Sequence, residues 1–206
     1  MRFENTRFPY LKEECEKKFG KDKGVAIFEL ADSRLEKMIE EADYRGSASI
    51  QEHMDENMLP IIALYLVCVE KGMSEQEAYD FCLEISQIAA RKVKKQNESL
   101  GKLPFGYLLM RLFCKKVMNK SYPACGWDLR WVQTDKDEMH FDMHSCIYYE
   151  TTKKYGCPQM CTIFCKNDNT TLAGYAPSIR FERAGTIAEG REVCDFHFVN
   201  AKRNPK

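Results

Sequence analysis

The sequence predicts an α+β fold in which N-terminal helices pack on a four-stranded antiparallel sheet, with two helices inserted between the second and third strands. Three observations lead there. Apolar residues recur at helical spacing through the first half of the chain, the period changes to two after Pro123, and a helical stretch beginning at Ile147 interrupts that alternation before it resumes at Ser178. The 206 residues suit one α+β domain, 1–206, with a helical half at 1–121 and a sheet-containing half at 122–200.

Each element has its own warrant. Ile27, Phe28, Ala31, Leu35, Met38 and Ile39 share one helical stripe, which Gly46, Ser47 and Ser49 end while offering a cap to the next helix. That next helix carries Ile50, Met54, Met58, Ile61, Ile62, Tyr65 and Val69 inward, and Pro60 is set to kink it. Ser74-Glu-Gln-Glu77 is a capping box, so a third helix starts there and buries Ala78, Phe81, Cys82, Ile85, Ile88 and Ala89. The Gly/Asn/Ser patch Asn97 to Gly101 predicts a break before a fourth helix, Pro104 to Met118. Residues 27–59 are strongly acidic and 91–120 strongly basic, which predicts complementary solvated helix faces packed as neighbours.

Beyond Pro123 the pattern is that of strands. Trp127 to Val132 and Met139 to His144 alternate, and the polar turn at Thr134 to Lys136 predicts their antiparallel pairing. Ile147 to Tyr155 reads as a helix, and another begins at Cys157 with Pro158 in the first turn, where its missing N–H costs nothing. Two further strands, Ser178 to Arg183 and Val193 to Phe198, flank a turn at Gly190.

Composition excludes several functions. Apolar residues make up 44% of the chain, enough for a core and unlike a disordered segment. Lys plus Arg and Asp plus Glu balance at 31 each, so no global field selects nucleic acid or an anionic membrane as partner. The longest apolar run, Met58 to Val69, falls short of the ~20 residues of a spanning helix. The first thirty residues mix charges without the apolar centre of a secretory signal, which predicts a cytoplasmic protein whose ten cysteines are free thiols. No Gly-rich phosphate loop, His-Glu-x-x-His or Gly-x-Ser-x-Gly is present.

Three local patterns carry chemistry. Period two places His140, Asp142, His144 and Cys146 on one strand face, a row that suits either Cys–His nucleophilic catalysis or a divalent metal, or is simply a solvated face. Cys157, Cys161 and Cys165 recur every four residues with Asp168 one turn on, a stripe that reads as core packing apart from the carboxylate. Its spacing is poor for a closed tetrahedral site, so no metal is expected. In Cys194-Asp-Phe-His-Phe198, Asp195 and His197 face away from Cys194, and Arg183 has the fork to clamp a carboxylate.

Taken together, Cys146, Gly156-Cys-Pro, Phe164-Cys-Lys-Asn-Asp168, Phe181-Glu-Arg-Ala-Gly-Thr186 and Gly190-x3-Cys194-Asp-Phe196 resemble the L-2-amino-thiazoline-4-carboxylic acid hydrolase family from about Leu103 to Phe198. At the level of fold, the strand-helix-helix-hairpin order also looks like 4-vinyl reductase small-molecule-binding domains. His197 departs from the arginine expected in many relatives, and Cys157 and Cys161 are additional. The resemblance implies a hydrolase opening a cyclic amidine such as 2-aminothiazoline-4-carboxylate, with a small molecule as partner and no cofactor; the alternative is a non-catalytic ligand-binding or sensor domain. Under that implication Cys146 or Cys165 is the nucleophile, with Cys165 preferred, His144 the base, Asp168 or Asp195 the amidinium partner, Arg183 the carboxylate clamp, and Cys194 a further member of the closing motif.

Overall fold

The computed structural model describes residues 2–205 and divides the chain into two compact units, with the boundary between Ala89 and Ala90 inside one long helix. The sheet-containing unit therefore also holds a helix that composition groups with the first half. The architecture is α+β, with eight α-helices and one four-stranded antiparallel sheet among the described residues. None of these helices is long and apolar enough to cross a membrane.

In the first unit α1 (Leu11–Phe19) and α2 (Lys21–Glu40) are joined by Gly20 and pack closely. Gly24 permits the approach, because a Cβ there would stand 2.5 Å from the carbonyl oxygen of Cys15. The sequence reading missed α1 for a plain reason. It buries just Leu11 and Cys15, too few apolar positions to show a period.

After α3 (Ala48–His53), capped by Ser47 Oγ accepting the Ile50 N–H at 3.3 Å, the chain makes one π-helical turn, Met54–Met58, and enters α4 (Leu59–Glu70). Pro60 explains the turn. It has no N–H for the carbonyl of Glu56, four residues back, and that orphaned acceptor takes the N–H of Arg7 instead at 3.0 Å. The expected kink is thus a widened turn with a repaired hydrogen bond. α4 is buried almost all round, from Leu59 to Cys68, and forms the middle of this unit.

The capping box forms as read. Ser74 Oγ accepts the Glu77 N–H at 3.3 Å and the Glu77 carboxylate accepts the Ser74 N–H at 3.0 Å, starting α5 (Glu75–Gly101). The predicted break at Asn97 to Gly101 does not occur. α5 runs through it because these residues serve tertiary contact: Asn97 Nδ2 donates to the Thr171 carbonyl at 2.9 Å, and a Cβ on Gly101 would meet the Ala176 oxygen at 2.6 Å.

The second unit continues with α6 (Gly106–Ser121), β1 (Leu129–Thr134) and β2 (Glu138–Met143). Two helices follow, α7 (Ile147–Lys154) and α8 (Cys161–Leu172), the latter entered by a 3-10 turn that starts with Pro158. β3 (Ile179–Glu182) and β4 (Cys194–Asn200) complete a sheet of order β1-β2-β4-β3. Its register sorts the side chains into two faces. Met139, Phe141 and Met143 of β2 lie opposite Phe198, Phe196 and Cys194 of β4, all buried, with the Phe141 and Phe196 rings stacked at 5.0 Å. The other face pairs His140 with His197 and Asp142 with Asp195. On the edge strand β1, Trp131 pairs with Phe141 and Gln133 with His140, so Val132 is bulged out and 58% exposed.

Candidate active site

β2 ends at Met143, and the four-residue row read from period two ends with it. His144 donates its N–H to the Asp128 carbonyl at 2.8 Å while Ser145 Oγ accepts the Asp128 N–H, a turn that re-aims everything beyond. His140 and Asp142 keep the strand face and stay paired, Nε2 to Oδ1 at 2.9 Å. His144 is exposed and meets no thiol in any described contact, so the geometry lends no support to it as the base beside a cysteine. Cys146 stands at the N-cap position of α7 without a side-chain cap bond, and its thiol meets Cys161 of α8.

There the structure assembles a row of thiols. Cys161 hydrogen-bonds both Cys146 and Cys165, which it reaches one helical turn along α8. The three do not titrate alike. Cys146 is lowered from the ordinary thiol value first by the hydrogen bond from Cys161, which with the amides of Tyr149 and Tyr148 at the α7 N-terminus outweighs burial. Cys165 is lowered by Cys161 and by the Thr186 hydroxyl, against burial and the nearby Asp168 charge. Cys161, between two such neighbours, is pushed strongly up and keeps its proton. It has one hydrogen to give, so it serves one thiolate at a time.

Asp168 lies one turn beyond Cys165. Loss of surrounding water raises its carboxyl above the usual range despite Arg183, yet its side chain keeps 41% exposure and remains open to a ligand. Arg183 is 6% exposed and already committed: it donates to Asp168 Oδ2 at 3.1 Å, to the Cys165 carbonyl at 2.6 Å and to Asn169 Oδ1 at 3.0 Å, with its guanidinium over the rings of Phe181 and Phe196. Three of its five N–H groups are thus taken by protein, and one of those bonds positions Asp168.

The closing motif divides between the two faces. Cys194 is buried, accepts the Ile187 N–H at 3.2 Å, and is pushed up to about 12 chiefly by burial, so it anchors the β3–β4 loop as a neutral thiol. Asp195 accepts the N–H groups of Ala184 and Gly185 at 2.8 and 3.0 Å, which hold it below the usual carboxylate range in spite of partial burial. It staples the same loop from the other side. Cys157, also pushed to about 12 by burial, stands outside the row.

Sequence reasoning missed two participants. Cys161 was taken as core packing although its position four residues before Cys165 already placed it on the same helical stripe. Thr186 was quoted as part of a motif without a role. Its hydroxyl lies between Cys165 and Glu189, to which it donates at 2.8 Å, and no spacing in the sequence signals a contact across twenty-one residues.

A row of three thiols beside an arginine-held carboxylate thus sits on an α+β frame with two helices between strands, an arrangement with the groups that thiol chemistry on a small molecule requires. The chain's own pattern is more particular. Residues 51–198 match the model of the L-2-amino-thiazoline-4-carboxylic acid hydrolase family, and the chain belongs to that family. Comparison with curated proteins and with solved structures gave no significant match.

Proposed function

We propose that the protein hydrolyses a small cyclic amidine of the 2-aminothiazoline-4-carboxylate type, with Cys146 as nucleophile and Asp168 as partner of the amidinium. What supports this reading is the thiol row, in which Cys161 keeps its proton and can give it to Cys146 beside the N-terminus of α7. The preference moves from Cys165 to Cys146 because the N-terminal end of α7 adds to Cys161 in lowering it, whereas Cys165 depends on a hydroxyl that also donates to Glu189 and sits nearer the Asp168 charge.

The step balances with water as the one co-reactant. The Cys146 thiolate forms a bond to the carbon that carries two nitrogens and a sulfur, the ring C–S bond breaks, and the departing sulfur takes a proton. Water then adds to the same carbon and expels Cys146, leaving a carbamoyl amino acid. Asp168, held by Arg183, faces the positive charge of the bound amidinium.

Assay of an aminothiazoline carboxylate with Cys146→Ser, Cys165→Ser and Asp168→Asn tests this. Loss of turnover in Cys146→Ser with activity kept in Cys165→Ser is expected. The reverse order returns the nucleophile to Cys165, and loss in Asp168→Asn alone makes the carboxylate a base for water. An unmodified protein that binds the compound without turning it over supports a binding domain instead.

A further inference from the structure

On the sheet face turned away from Cys194 and Phe196, antiparallel register sets His140 of β2 directly opposite His197 of β4, and their rings stack with centroids 3.8 Å apart. Glu138, two residues before His140 on the same face, reaches His197 Nδ1. One ligand atom from each of Glu138, His140 and His197 lies within 4.8 Å of the other two. Both imidazoles turn Nε2 toward an aspartate: His140 toward Asp142 at 2.9 Å and His197 toward Asp195 at 3.4 Å. The two aspartates are themselves a cross-strand pair.

We propose that Glu138, His140 and His197 form a binding site for a divalent transition-metal ion, separate from the thiol row. The donor chemistry is two imidazoles and one carboxylate, which suits borderline ions such as zinc or cobalt and not the all-oxygen preference of calcium or magnesium. Metal-bound histidines donate their second ring N–H to a carboxylate, and Asp142 and Asp195 supply that support for both rings at once. With Nε2 so used, Nδ1 is the ligating nitrogen, and on His197 it is the atom already facing Glu138. Metal–nitrogen bonds of about 2.0–2.1 Å require Glu138 and His197, now in hydrogen-bond contact, to part and admit the ion while the His140 ring swings in, movements within reach of side chains that are 18–30% exposed.

Charge favours a cation. Three carboxylates face two imidazoles, while the cations on neighbouring strands are engaged elsewhere: Arg180 with Glu182 at 2.6 Å and Arg130 with Asp128 at 2.6 Å. Three protein donors leave a coordination position for water or a ligand, the open arrangement that distinguishes a working metal from a structural one.

The test titrates the full-length, chelator-treated protein with cobalt(II) and reads both affinity and spectrum. One ion per chain is expected, without a thiolate-to-cobalt charge-transfer band, bound at least tenfold more weakly in His140→Ala and in His197→Ala and unchanged in Cys161→Ser. Asp142→Asn is expected to weaken binding by about 10-fold through ring orientation alone. Thermal unfolding of each variant without metal separates lost binding from lost folding. Binding that survives both histidine variants, or a charge-transfer band abolished by Cys161→Ser, overturns the proposal.

Discussion

Cys15 and Cys68 in the helical unit and Cys146 and Cys165 beside the sheet are the same side chain under opposite rules. The first two are completely buried, and burial pushes both up to about 12. The second pair is also withdrawn from water, yet both fall below the ordinary value, because a neighbouring thiol, helix-opening amides and a hydroxyl reach them. The difference teaches that donors, not depth, decide whether a cysteine is a small hydrophobe or a nucleophile. Cys157 and Cys194 of the sheet unit follow the packing rule as well, so within that unit Cys146 and Cys165 stand apart from their own neighbours.

The sharpest way to break that comparison is chemical. Alkylation by iodoacetamide with peptide mapping should modify Cys146 first, with a rate that climbs with pH and levels off below the ordinary thiol value of 9.0, since reactivity follows the thiolate fraction and the folded pKa is lowered. Cys15 and Cys68, about three units above 9.0, hold on the order of 10³-fold less thiolate at neutral pH and should stay unlabelled until the protein unfolds. Equal rates for the two sets would remove the distinction. Exposed Cys125 serves as the internal standard for an accessible thiol.

The same contrast describes what the sequence reveals. Helical and strand periods made the sheet, α2, α4 and the paired helices α7 and α8 legible, because each buries a continuous stripe. α1 was hidden by its two inward positions, and the Asn97 to Gly101 segment was misread because small residues signal a turn and a close contact alike. At the site, Cys165 with Asp168 was visible as one helical stripe, and the family motif drew attention to Cys146. The contacts that His144, Arg183, Cys194 and Asp195 make were not legible. They depend on where β2 stops and on loop hydrogen bonds across ten or more residues, such as Asp195 to Ala184 and Arg183 to Asp168, which no period encodes.

A second prediction, smaller in effect, probes the packing side. In Gly24→Ala the added methyl meets backbone, the Cys15 carbonyl at 2.5 Å, and no flexible side chain can yield. α1 and α2 must separate, at a cost of about 1–3 kcal/mol, or a fall in Tm of several degrees for a chain of this size. Because the thiol row lies in the other unit, the alkylation rate of Cys146 in the still-folded protein should not change. A normal Tm would show that α1 and α2 part at little cost, and a changed rate would show that packing and thiol chemistry are coupled.

The smallest effect concerns the cap of α5, where sequence and structure agree most closely. Ser74→Ala removes the acceptor of the Glu77 N–H and the hydroxyl that donates to the Glu77 carboxylate at 2.6 Å, but leaves the bond from the Ser74 N–H to that carboxylate in place. Typical N-cap losses are about 1 kcal/mol, and the exposed setting places this one at or below that figure. Glu77→Gln should cost less again, since an amide oxygen can still accept the Ser74 N–H, while the combined variant should cost less than the sum because the two side chains bond one another. The carboxyl of Glu77 is held below its usual range mainly by the Ser74 hydroxyl and N–H, so its contribution is full at neutral pH and is lost as the pH falls through that lowered value. Chemical denaturation of the four proteins at neutral pH and again in acid measures this: a coupling that persists unchanged after Glu77 is protonated would mean that the box is held by geometry alone, and a coupling that vanishes would assign it to the carboxylate charge.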